Sequence, residues 1–267
     1  MRLRPLALSL CLFALPAAAA AAEDCETRVY DLLQAAYPDA VGETGDNGEL
    51  LRLPGAQPRW IVLGEVACKV WPAAPDKTLL AVRLQHQTAY SDEGSADLEL
   101  LVADSARPRI LARYREDDAL FSDAIAVQGV ALDTARYRLD ERTTAFGVRV
   151  SVANSSRPNP YSATRLSLYV VEGDRVRPVL RDLEVASDGG EWDTQCAGEF
   201  HSDRSTLAVD AKRDHGYAGL ILRSVSKVTR NVWRGGQCDE VVDSEESDRQ
   251  RLAYDGRQYA LPARKRD

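Results

Sequence analysis

The sequence predicts a mainly β protein with one short N-terminal helix. Three observations carry that reading. Apolar residues alternate in short runs from Trp60 onward, clusters of Gly, Pro, Asn, Asp and Ser separate the runs, and helical spacing of apolar residues occurs only in one early stretch.

The chain begins with Arg2 and Arg4, continues with an apolar stretch from Leu6 to Leu15, and then runs through Pro16 into alanines. That order of basic, apolar and small residues is the pattern of a cleavable secretory leader, with a cut expected before Glu23 or, almost equally well, before Ala21. The apolar core is shorter than the ~20 residues needed to span a bilayer, and no later segment is apolar enough. No stable membrane anchor is therefore expected after cleavage. Cys25 follows Glu23 and Asp24 rather than small residues, which argues against lipid attachment.

The expected organisation is a leader over 1–22, a helix with a connecting loop over 23–58, and a β-rich domain over 59–267. The helix spans Cys25 to Ala36, where Val29, Leu32, Leu33 and Ala36 recur at three- and four-residue steps and Pro38 ends the run. Strand-like runs follow near Trp60 to Val66, Thr78 to Leu84, Leu98 to Val102, Arg109 to Tyr114, Ile125 to Val130, Ala135 to Leu139, Phe146 to Val152, Leu166 to Val171, Val176 to Leu183, Thr206 to Asp210 and Tyr217 to Val225. The last two, Leu252 to Tyr254 and Gln258 to Leu261, read as a hairpin turned at Asp255 and Gly256.

Sliding the chain by 68 residues puts Leu80, Val82 and Leu84 on Val148, Val150 and Val152, and Leu98, Leu100 and Val102 on Leu166, Leu168 and Val170. This suggests repeated four-stranded antiparallel meanders. A third copy is then split between the chain ends, and pairing of the last hairpin with the Trp60 to Leu84 region would close three sheets and hide their edges. A two-sheet β-sandwich is the alternative.

Cys11 leaves with the leader, so Cys25, Cys68, Cys196 and Cys238 remain, an even set suited to two disulfides in an oxidising compartment. Of the three possible pairings, Cys25 with Cys68 and Cys196 with Cys238 is favoured because each joins neighbours in sequence. Zinc is disfavoured by the absence of close C-x-x-C spacing. The chain carries 34 basic and 41 acidic side chains, a formal charge of −7, and loss of the leader makes it more acidic, so nucleic acid is not an expected partner. Only five of the basic residues are lysines (Lys69, Lys77, Lys212, Lys227, Lys265), which with the abundance of alanine suggests a GC-rich bacterial genome. A periplasmic or secreted location follows as the default.

Catalytic signals are thin, and no cofactor motif is present. His86, His201 and His215 are the three histidines, and His201 with Asp203 and Asp214 forms the one grouping that could supply a general base for a hydrolase. No nucleophile elbow accompanies it. Ser224 and Lys227 form an S-x-x-K string, but at a strand end these two positions face opposite ways. The segment Asp188 to Asp193 lacks the alternating acidic positions of a calcium loop, Asp46-Asn47-Gly48 is a good turn, and the acidic cluster Asp243 to Asp248 reads as a solvated loop. Trp60, Trp71, Trp192 and Trp233 could stack on a sugar, although three of them lie close to cysteines and suit packing on a disulfide equally well. The expectation is a non-enzymatic binding module for a protein or glycan of the cell envelope, with a His/Asp hydrolase as the alternative.

Overall fold

The computed structural model describes residues 25–45, 48–87 and 94–262. The expected leader and its expected cleavage point lie outside them, as do Asp46 and Asn47 of the expected turn. Among the described residues one α-helix, α1 (Cys25–Ala36), precedes fourteen strands, and a single 3-10 turn lies at Leu63–Glu65. The helix buries Val29, Leu32, Leu33 and Ala36, the stripe that the spacing predicts, and is tied at its first residue by the Cys25–Cys68 disulfide. No helix among the described residues is long and apolar enough to cross a membrane.

The strands of the N-terminal half are β1 (Val41–Gly45), β2 (Gly48–Leu53), β3 (Arg59–Val62), β4 (Ala67–Val70), β5 (Lys77–Gln85), β6 (Gly94–Asp104) and β7 (Ile110–Ser122). Those of the C-terminal half are β8 (Ile125–Arg138), β9 (Thr144–Asn154), β10 (Tyr161–Glu172), β11 (Arg175–Trp192), β12 (Gly198–Asp214), β13 (Tyr217–Arg234) and β14 (Gln237–Leu252). Neighbours from β8 to β14 pair antiparallel in sequence order. The two halves meet where β7 and β11 run parallel at Arg113 and Arg175.

Three apolar clusters hold this sheet. One lies between α1 and β2, β3, β5 and β6 and includes Leu51, Ile61, Leu80, Val82 and Leu101. The second joins the halves: Leu79, Leu98, Leu100 and Val102 pack with Phe146, Val148 and Tyr169, and Trp71 meets Phe146 edge to face at 5.6 Å. Because β6 contributes to both clusters, Leu98 to Ala103 is buried on both faces and reads as one apolar run interrupted only by Glu99. The third cluster gathers Leu166, Leu168, Leu180, Leu183, Leu220, Leu222 and Leu252 beneath the C-terminal residues Tyr254 and Tyr259.

Four differences from the sequence reading stand out. The stretch between helix and β domain is not a plain loop, since β1 and β2 join the sheet next to β3. The acidic cluster Asp243 to Asp248 is not a loop either but part of β14, an edge strand exposed on most of its length. The ring of three sheets does not form. Tyr254 and Tyr259 bridge as the hairpin reading requires, yet the pair packs on the C-terminal half, where the Tyr259 N–H donates to Val179 O at 2.7 Å and its hydroxyl to Ala218 O at 2.6 Å. The outer edge of β5 is already occupied by β3 at one end and β4 at the other, so no ladder is free for the terminal hairpin. The 68-residue alignment does place β5 over β9 and β6 over β10, but β11 pairs with β12 whereas β7 does not pair with β8. A four-stranded repeat is not established.

Candidate functional site

β12 and β13 are 17 and 18 residues long, so a strand rise of ~3.4 Å per residue carries them nearly 60 Å. Their basal parts contribute Leu207, Val209, Leu220 and Leu222 to the third cluster. No residue of 198–205 or 224–247 belongs to any of the three clusters. This distal ribbon is held by its ladders and, at the tip, by the Cys196–Cys238 disulfide, whose Cα atoms lie 5.6 Å apart. Both disulfides join the pairs favoured from sequence.

Alongside the ribbon a groove of roughly 490 Å³ is lined by residues of β9 to β14, among them Ser162, Asp188, Phe200, Ser202, Lys227 and Glu240. Its floor depends on glycine. Gly190 pairs with Phe200 across β11 and β12, and a methyl group at Gly190 would come within 2.5 Å of Phe200 Cδ1. One at Gly198 would come within 2.9 Å of Phe200 Cε2, the ring atom opposite Cδ1. With two opposed ring atoms held against two glycine positions, the phenyl ring lies along the sheet instead of standing on it. Gly189 does the same for the imidazole of His201, where an added methyl would overlap Nε2. Successive strand residues face opposite ways, so the two rings cover opposite sides of the glycine pair.

The charged residues of the groove are matched. Asp188 receives both carboxylate bonds from Arg204 at 2.6 and 2.8 Å and one from the Ser162 hydroxyl at 3.3 Å. The Lys227 ammonium donates to Glu240 at 3.2 Å. The S-x-x-K string therefore separates, with Ser224 bonded to Ser205 at 2.8 Å and Lys227 turned to Glu240.

The sequence-derived histidine grouping also separates. His201 and His215 lie at opposite ends of β12, about 45 Å apart at the strand rise. Asp203 accepts from Ser226, Asp214 is bound by Arg251, and no hydrogen bond or ion pair joins either histidine to a carboxylate among the described residues. Asp193 caps the N–H groups of Gln195 and Cys196, both at 2.8 Å, and its carboxyl is held below the usual range mainly by that backbone bonding. Of the tryptophans, Trp71 is core, Trp60 and Trp192 are half-buried, and Trp233 is 59% exposed beside Cys238.

A second cluster, missed in the sequence, surrounds the fully buried carboxylate of Asp97 on β6. Its Oδ1 accepts from His86 Nε2 at 2.6 Å and from the Asp118 N–H at 3.0 Å, while Oδ2 accepts from Arg59 Nε at 2.9 Å and from Arg115. Burial pushes this carboxyl up, but the Asp118 N–H, His86, Arg59 and Arg115 outweigh it and hold it well below the usual carboxylate range. His86, Asp97 and Asp118 have the spacing of a metal triad. Four donors already fill the four acceptor positions of Asp97, two of them guanidinium groups that would repel a cation, so the cluster reads as a structural ion network. Nearby Glu99 extends it to Arg113 at 3.0 Å and to the Tyr37 hydroxyl at 3.0 Å.

Phe200, Ser162 and Glu240 gave no signal as site residues. The consecutive glycines 189 and 190 within a strand could have pointed to a close approach of another group. Comparison with protein families, curated proteins and solved structures finds no match.

Proposed function

We propose that this protein is an exported binding module, acting in the periplasm or after secretion, that engages a cell-envelope glycan or protein through the distal part of β11 to β14. One observation carries the reading: a long ribbon outside every apolar cluster is clamped at its tip by a disulfide and exposes Val225, Trp233 and Val242. Stabilising the fold does not call for such an extension, because these residues bury nothing of the core. A rigid ribbon that presents apolar groups among charged ones is the form of an interaction surface. Two disulfides support an oxidising compartment, and the leader-like N-terminus supports export.

Affinity capture from an envelope extract tests this, with the exported protein as bait beside a Trp233→Ser, Val242→Ser variant. Both side chains lie outside the core, so the variant should fold normally and lose the retained material. Equal retention by both baits would exclude the ribbon face.

A further inference from the structure

The groove at Phe200 has a chemistry that narrows the ligand class. It lies on the face of a continuous sheet, where the backbone around Phe200 is paired on both sides, to Gly190 in β11 and to Thr229 in β13, and Thr229 in turn pairs with Val242 in β14. A peptide strand bound by main-chain hydrogen bonds needs a free edge, and the backbone at Phe200 offers none, the free edge of β14 lying beyond β13. Recognition here must come from side chains.

Those side chains include the flat ring of Phe200 amid hydroxyls and ion-paired groups, with Tyr161 and His201 also lining the groove. The ring lies along the sheet because Gly190 and Gly198 leave the space beneath it, and its other side borders the groove. An aromatic face carries partial negative charge and attracts polarised C–H groups. Around it stand the hydroxyls of Ser162 and Ser202, the carboxylates of Asp188 and Glu240 and the ammonium of Lys227. The charges cancel locally, Asp188 against Arg204 and Lys227 against Glu240, so nothing in the groove favours a strongly anionic or cationic ligand. Carboxylates and ammonium groups that keep free acceptor or donor positions are well suited to hydroxyl groups. The cavity, roughly 490 Å³, falls within the range of ~300–1,000 Å³ common for small-ligand sites.

We propose that this groove binds a neutral saccharide, with the C–H face of one pyranose ring on Phe200 and its hydroxyls directed to Asp188, Ser202, Lys227 and Glu240. A pyranose combines one apolar face with a polar rim, which is the arrangement the groove mirrors. This inference rests on the proposed ribbon-binding function and specifies its ligand.

The test uses the full disulfide-bonded protein and three neutral probes: trimers of α-linked glucose, β-linked glucose and β-linked N-acetylglucosamine. Amide chemical shifts are followed during titration of wild type, Phe200→Ala and Phe200→Trp. At least one trimer should shift amides of 188–190, 198–202 and 227–229, Phe200→Ala should weaken its binding at least ten-fold, and Phe200→Trp should retain it. Binding by none of the three, shifts confined to another region, or equal affinity in Phe200→Ala would overturn the proposal. If Phe200→Ala fails to fold, the site mapped on the wild type and the retention by Phe200→Trp decide. The same trimers added to the envelope capture separate the two claims. Capture that depends on Trp233 and Val242 but resists the sugars defeats the saccharide inference and leaves the ribbon reading standing. Capture indifferent to the ribbon defeats the ribbon reading itself.

Discussion

Removing the ribbon disulfide should do less to global stability than removing the helix disulfide, although chain entropy makes them equal. Cys25–Cys68 and Cys196–Cys238 span 43 and 42 residues, and loops of that size are each worth ~4 kcal/mol in the chain-entropy model. In a protein of this size ~4 kcal/mol corresponds to roughly 8–16 °C in Tm. Cys25 begins a helix whose buried stripe belongs to the α1 cluster, so its release frees no part of the native state to relax without losing core contacts. The ribbon tip has no such contacts. Without its clamp it can fray in the native state, which recovers part of the entropy gained by the unfolded chain. A Cys25→Ser, Cys68→Ser variant should therefore approach the full loss. A Cys196→Ser, Cys238→Ser variant should lose about half or less, with faster amide exchange confined to 198–205 and 224–247. Thermal unfolding and hydrogen exchange of the two variants decide the matter. Equal Tm losses, with unchanged exchange in the ribbon, would refute the view that the ribbon is energetically separate from the core.

Further outcomes follow from the cores and the ion network. Asp97→Asn should cost about 3 kcal/mol, the lower end for breaking a buried ion pair, because Arg115 keeps Asp117 as a partner at 3.0 Å. The depressed Asp97 carboxyl contributes stability that is present above its unfolded value of ~3.9 and is lost as pH falls through its lower folded value, so wild-type stability should drop below about pH 4 more steeply than that of the variant. Urea unfolding across pH measures both effects. Phe146→Ala, at the cluster joining the two halves, should cost ~3–5 kcal/mol in the same assay. Gly190→Ala should cost ~1–3 kcal/mol by overpacking, since the new methyl meets Glu199 O at 2.6 Å as well as the Phe200 ring, and it should lift that ring out of the groove floor.

What the sequence revealed tracks where side chains are buried. The α1 stripe and strands β5, β6, β9 and β10 announce themselves because their apolar residues fill the clusters. β14 was missed because it is an exposed edge strand: its backbone ladder to β13 runs from Gln237 to Leu252 while its side chains are largely polar, so no alternation marks it. The terminal hairpin was visible in Tyr254 and Tyr259, but its partner was not, since that depends on which edges other strands have already taken. Asp97 and His86 are eleven residues apart on neighbouring segments and meet only once the register of β5 and β6 is set. The disulfide pairing was legible because both bridges join cysteines adjacent in sequence. The Phe200 groove was not, beyond its glycine pair, because its lining comes from six strands.

The most direct test of the ribbon as the binding surface is a hydrogen-exchange footprint of the full protein with and without the envelope fraction it captures. The account predicts slowed exchange within 186–192, 198–205 and 224–247, with the Asp97 network and the α1 face unchanged. Protection concentrated at 86–118 or on α1, with the ribbon exchanging as in the free protein, would contradict it.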